Sequence, residues 1–323
     1  MAKKVISILG KILLILSIVF VVIKVKKLGI DFSAIQDIPR LMVVFFEALI
    51  LSILGTFLLA YIWSDWIKAL SEKEVSRKKA LSIYGKSVIG KYLPGNVMHY
   101  VERNIFAADY GLSQKKITLS TVMEIISQVL SALIVSAILL PSFMWNRIYK
   151  AIEDRLYILA IIGIAGTVLF IVLLIIAIKR FHDSGDLFGA KPGTFLKTFI
   201  KAVVLSTVYI LSGGLGMLFI AINVIGQLPA GSARLILSSY SAAWVCGFVI
   251  PGAPGGIGVR EALLTVLLQS RFGTSLMFMV IFHRLITIIG DFCVYVISRF
   301  LLPLADRGSE NTKSHPEKKI NED

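Results

Sequence analysis

The stretch "IPGAPGGIGVRE" (250–261) decides how this chain is read. Two prolines and four glycines cannot continue a helix, yet they interrupt one of the most apolar regions of the sequence, and the charged pair Arg260-Glu261 follows at once. The apolar residues before the break, 234–249, would make a helix of only about 24 Å, short of a hydrocarbon core of about 30 Å. Irregular backbone at membrane depth is tolerated only where protein buries it or where it lines a water-filled cavity. The spacing therefore predicts a re-entrant helical hairpin over 234–270, stopping at Pro251, turning through "GAPGG" and restarting near Val259.

The surrounding composition is that of an integral membrane protein. Of 323 residues, 56% are hydrophobic and 17% charged, with a mean hydropathy of +0.82; a soluble domain of this length needs far more polar surface. The net charge of +14 is spread over short loops, where Lys and Arg face the anionic cytoplasmic leaflet, and no nucleic-acid-binding pattern accompanies it. Nucleic acid is excluded as a partner. Cys246 and Cys293, both within apolar segments, provide neither a disulfide framework nor a metal site. There is no HExxH, GxSxG or Walker loop, so no catalytic residue, metal or cofactor is expected, and an ATP-driven pump is excluded.

Full spans are expected at 5–23, 40–62, 117–140, 156–178, 198–222 and 276–302. The basic N-terminal start is read as a retained first span rather than a cleaved signal. Lys68, Lys73, Arg77, Lys78, Lys79, Lys86, Lys91, Lys115, Lys116, Lys179, Arg180, Lys191, Lys197 and Lys201 then fall on the cytoplasmic side, placing both termini in the cytoplasm of a multi-pass plasma-membrane protein. Residues 303–323 read as a disordered polar tail after a transmembrane domain of 1–302. Trp63, Trp66, Trp145 and Tyr149 are expected in an interfacial belt.

A second interrupted segment, "GKYLPGNVMHYVER" (90–103), parallels "GFVIPGAPGGIGVRE" (247–261): Gly, three residues, Pro-Gly, then a restart ending in adjacent Glu and Arg. It lies within 82–110, too polar for a span, and predicts a second hairpin entered from the cytoplasm. Each half, 1–140 and 156–302, then reads span, span, hairpin, span with opposite topology, the inverted repeat of many transporters. The fold class is all-α: six transmembrane helices plus two re-entrant hairpins.

The run "YLPGNVMHYVERNIFAADYGLSQKKITLSTVMEIISQVLSAL", followed far downstream by "PGAPGGIGVREALL", resembles the lysylphosphatidylglycerol synthase transmembrane domain family. This is the flippase-like membrane half of the multiple peptide resistance factors. The resemblance covers the chain from the second span to the last. The soluble cytoplasmic acyltransferase domain that follows the last span in full-length members has only a short tail in its place here, so aminoacyl transfer is not carried over; what the resemblance implies is a lipid translocase. Two alternatives stay open: a lipid-binding accessory protein serving a separate cytoplasmic or membrane lipid synthase or glycosyltransferase, and a phosphatidylglycerol lysyltransferase by family name only. A homodimer is left open as well.

The candidate headgroup site follows from residue chemistry. Backbone N–H groups of Gly255, Gly256 and Gly258 at a half-helix start suit a phosphate, and the Arg260 guanidinium can grip its oxygens as a fork. Glu261 would hold Arg260 or meet a cationic headgroup such as a lysyl or amine group. Alternatively, the glycines only allow close helix packing, and Arg260 and Glu261 form a private ion pair. On the other hairpin the matching set is Lys91, Pro94, Gly95, His99, Glu102 and Arg103, with Glu102 orienting Arg103. Glu124 and Gln128, one helical turn apart, with Arg284 and Asp291, are expected along a polar path between the hairpins; Asp291 would pair with Arg284 or Arg260.

Overall fold

The computed structural model describes residues 38–71, 75–93, 97–108, 111–142, 192–249 and 254–301. The expected spans at 5–23 and 156–178, Pro94, Gly95, Trp145, Tyr149 and the C-terminal tail lie outside them. All regular structure among the described residues is helical: α1 (Ile38–Leu70), α2 (Arg77–Ser87) continued by a 3-10 turn (Val88–Tyr92), α3 (Met98–Ala108), α4 (Gln114–Ile138), α5 (Pro192–Ile225), α6 (Ser232–Val249), a 3-10 turn (Pro254–Gly256), α7 (Val259–Phe272) and α8 (Ser275–Val296) with a terminal π-turn (Ile297–Leu301). Among the described residues, four helices are long and apolar enough to cross a membrane: Ile38–Leu70, Gln114–Ile138, Gly193–Ile225 and Ser275–Phe300. The chain is an integral membrane protein.

Local chemistry sets the helix ends. Pro39 and Pro192 sit in first turns, where a missing N–H costs nothing. The Ser76 hydroxyl caps α2 by accepting from the Lys79 N–H. Inside the long helices, hydroxyls turn back onto carbonyls of their own helix, as Thr56 does to Ser52 and Ser127 to Met123. Each such hydroxyl is satisfied within its own helix. The lipid face is legible as two stripes of exposed apolar residues at four-residue spacing: Met42, Phe46, Ile50 and Leu54 on α1, and Leu196, Ile200, Val204 and Val208 on α5.

α1 and α5 pack antiparallel. Trp66 meets Phe195 with ring centroids 5.2 Å apart, while Val44 and Ala48 at the other end of α1 pack with Met217, Ile220 and Ala221. Without a hydrophobic drive between helices in lipid, close approach depends on small residues. A Cβ on Gly55 would lie 3.1 Å from Ser212 Oγ, and one on Gly290 only 2.6 Å from Ser52 Oγ. The helices meet where side chains are smallest.

Two helix pairs enter this bundle from opposite ends. α2 descends along the second half of α8: the Ser82 hydroxyl donates to the Ser298 carbonyl at 3.2 Å, and Lys91 reaches Asp291, midway along α8. α6 and α7 come from the other end, where Ser238 donates to the Ser136 carbonyl near the close of α4. The tips meet. A Cβ on Gly255 would sit 3.2 Å from the Tyr92 ring.

One expectation is corrected. Trp63 and Trp66 are not in an interfacial belt; both are 0% exposed. α1 runs on to Leu70 instead of ending at 62, because Asp65 is neutralised by Lys201 of α5 at 2.5 Å. The tryptophans are thereby carried beneath α2, against Tyr84, Phe195 and Phe199.

Candidate functional site

A cavity of about 110 Å³ lies where the two tips meet the long helices. Its walls come from the middle third of each: Ala48 to Leu59 of α1, Glu124 and Gln128 of α4, Tyr209 to Gly216 of α5, and His283 to Asp291 of α8. Lys91, His99 and Arg103 line it from one helix pair, and Trp244, Gly255 and Arg260 from the other. In a chain whose long helices span lipid, this places charged groups at mid-depth, where they are costly unless paired or used.

Three of the four cations are paired. Arg103, 1% exposed, donates through Nη1 to Glu124 Oε2 at 2.6 Å. Glu124 also accepts from the Tyr84 hydroxyl at 2.7 Å and from Gln128 Nε2 at 2.8 Å. Lys91 Nζ lies 2.5 Å from Asp291 Oδ2, which accepts from the Tyr92 hydroxyl at the same distance. Arg284 donates to the Gly255 carbonyl at 2.6 Å. It also stands 3.6 Å from Glu261, an ion-pair distance but too long for a hydrogen bond.

Arg260 is different. Among the described residues it makes no ion pair, its Nε is buried without a hydrogen bond, and its guanidinium lies 5.6 Å from the Trp244 ring centroid. The glycines around it explain its position. A Cβ on Gly256 would come within 2.7 Å of Arg260 Nε, and one on Gly247 would meet Arg260 Cγ. Gly255, Gly256 and Gly258 adopt φ of 59°, 75° and 89°, a region that residues with a Cβ rarely occupy. The Gly258 N–H donates to Glu261 at 2.5 Å, tying that carboxylate to the start of its own helix.

Several expected pairings are corrected. Asp291 pairs with Lys91 and Tyr92, not with Arg284 or Arg260. Glu261 faces Gly258 and Arg284 rather than forming a private pair with Arg260. Glu124, not Glu102, orients Arg103; Glu102 lies against Gly90, where a Cβ would sit 2.7 Å from its Oε2. The reason is angular: neighbouring residues on a helix point about 100° apart, so Glu102–Arg103 and Arg260–Glu261 cannot share one direction. His99 lines the cavity with Nδ1 buried and unpaired, and His283 Nε2 lies 3.0 Å from the Gly213 carbonyl.

The structure adds residues that the sequence did not single out: Tyr84, Tyr92, Tyr240 and Trp244. One signal was present. Segments 90–103 and 247–260 align without a gap, placing Arg103 and Arg260 thirteen residues after Gly90 and Gly247. Each arginine lies over a tryptophan, Arg103 at 5.3 Å from the Trp63 centroid and Arg260 at 5.6 Å from that of Trp244.

The model of one protein family, described as lysylphosphatidylglycerol synthase TM region, matches residues 8–294. A comparison with curated proteins gives no match.

Proposed function

For a chain that belongs to the lysylphosphatidylglycerol synthase TM region family, we propose a phospholipid translocase, moving a lipid headgroup between leaflets through the central cavity. The observation that carries this is Arg260, a cation on the cavity wall at mid-depth with no anionic partner among the described residues. A lipid phosphate supplies that partner, and the planar guanidinium suits its paired oxygens.

The proposal includes the membrane topology: spans at 5–23 and 156–178 complete a set of six, and 82–110 and 234–270 are re-entrant hairpins of an inverted repeat. Both termini are cytoplasmic and the membrane is the plasma membrane. The close approach of Gly255 to the Tyr92 ring brings the two hairpin tips together beside the cavity. The headgroup occupies the cavity while the acyl chains stay in lipid beside the apolar outer faces. The reading is one of transport, with no bond made or broken.

The test is leaflet exchange of a fluorescent phospholipid in proteoliposomes containing the purified full chain. Wild-type protein is expected to accelerate exchange, and Arg260→Gln to lower the rate at least about tenfold, the scale of one charge-assisted hydrogen bond, while staying monodisperse. Exchange no faster than in protein-free vesicles overturns the proposal; lipid binding without exchange would instead mark an accessory lipid-binding protein.

A further inference from the structure

Arg103 and Arg260 hold matching places in the two hairpins but are oriented by different means. Arg103 is oriented by a partner, since its Nη1 donates to Glu124. Among the described residues Arg260 forms no ion pair, and its Nε is sealed off without a partner. Its direction is a matter of shape. The two matching glycines differ in the same sense. A Cβ on Gly90 would meet Glu102 and the backbone of His99. The three atoms nearest to a Cβ on Gly247 all belong to Arg260: Cγ, Nε at 2.8 Å and Cδ at 3.1 Å.

Backbone conformation does not require a glycine at 247. The residue is buried inside α6 and is not among the glycines with positive φ, and in a helix interior glycine is less stable than alanine. Gly256 lies on the other side of the same stem, where a Cβ would stand 2.7 Å from Arg260 Nε and 3.2 Å from Cδ. Trp244, one turn before Gly247 on the same face of α6, lies under the guanidinium. Phe248 backs that indole, with ring centroids 5.4 Å apart and planes within 1° of parallel.

We infer that Gly247 and Gly256 form a slot for the stem of Arg260, which makes Gly247 a positioning residue of the anion site. It decides where the guanidinium stands in the cavity, not how α6 packs. This rests on the translocase reading, in which Arg260 meets a lipid phosphate. With Nε enclosed by the slot, the fork offered to the ligand is the pair of terminal nitrogens, end-on. Bidentate recognition depends on geometry as well as charge. A methyl group at 247 keeps every charge in the protein and displaces the donors.

The test is a cycle of Gly247→Ala, Arg260→Ala and the double variant in the full chain. Gly256 is unsuited to it, because its φ of 75° and the Gly247 carbonyl 3.0 Å from its Cβ position strain any replacement. In non-ionic detergent, Gly247→Ala alone is expected to lower Tm by about 2–8 °C, the scale of one inserted methyl group. In the Arg260→Ala background the three clashing atoms are gone, so the same change is expected to leave Tm unaltered or raise it by about 2–4 °C. Binding of tail-labelled fluorescent phosphatidylglycerol, measured well below each Tm, supplies the readout that packing alone would not move. Gly247→Ala is expected to weaken it at least about fivefold, part of the tenfold or more that one charge-assisted hydrogen bond is worth. The double variant is expected to bind no more weakly than Arg260→Ala. An equal loss of Tm in both backgrounds overturns the slot, and wild-type affinity in Gly247→Ala overturns the positioning role while leaving lipid binding in place. Failure of the wild-type protein to bind the lipid overturns the translocase reading itself. Should Gly247→Ala not fold, recovery of folding in the double variant supports the slot and its absence overturns it; should Arg260→Ala not fold, the affinity of Gly247→Ala decides alone.

Discussion

Replacing Glu124 by glutamine changes one atom and removes one charge, and its consequence can be worked from the geometry. Three donors converge on the carboxylate: Arg103 Nη1 at 2.6 Å, the Tyr84 hydroxyl at 2.7 Å and Gln128 Nε2 at 2.8 Å. An amide has one acceptor oxygen where the carboxylate has two, and its NH2 faces a donor whichever way it is turned. Arg103, 1% exposed, is left as a buried cation without its counter-charge. Breaking a buried pair from one side costs about 3–5 kcal/mol. For a chain of this size that is a loss of roughly 5–15 °C in Tm. Removing the second charge should recover most of it, because replacing a buried pair with apolar volume is often neutral. Thermal unfolding of Glu124→Gln, Arg103→Met and the double variant, followed by tryptophan fluorescence in detergent, measures this, with Trp63, edge-on to Tyr84, as a nearby reporter. A Glu124→Gln protein within about 2 °C of wild type, or a double variant no better than the worse single one, would refute the reasoning that the pair is a closed structural unit.

Gly90→Ala is expected to destabilise by about 1–3 kcal/mol, because the new Cβ would lie 2.8 Å from the His99 backbone nitrogen and must push α3 away. Gly193→Ala, with nothing within 4 Å, is expected to be neutral or stabilising in the same thermal assay. The proposed topology requires cysteines at Lys78 and Gln227, both exposed, to react with an impermeant thiol reagent from opposite faces of the membrane. Labelling from one face, in a background lacking Cys246 and Cys293, would exclude it.

What could be read from the residues alone is uneven, and the pattern has physical causes. The apolar runs at 40–62, 117–140, 198–222 and 276–302 correspond to α1, α4, α5 and α8, each extending past at least one expected end. The break after 249 and the restart at Val259 are also where they were expected. The tryptophans were misplaced because aromatic residues near a span end are enriched at interfaces, and hydropathy cannot reveal that α1 continues under α2. Tyr84 gave no signal: it lies in a segment of mixed polarity, and its value comes only from standing 2.7 Å from a carboxylate forty residues away.

Residence in a membrane, helical structure and the two backbone breaks were determined by the sequence itself, because hydropathy and the conformational limits of proline and glycine act over a few residues. Which charges pair was decided only by the tertiary structure. Asp291 had Arg284 and Arg260 as plausible partners nearby, yet it meets Lys91 and also Tyr92, which is 199 residues away in the chain. The choice depends on how far α2 descends along α8 and on the angle at which each side chain leaves its helix, and neither is a local property. That same geometry leaves Arg260 without a carboxylate among the described residues. In the sequence it was one basic residue beside an acidic one; the fold turned the acid toward Arg284.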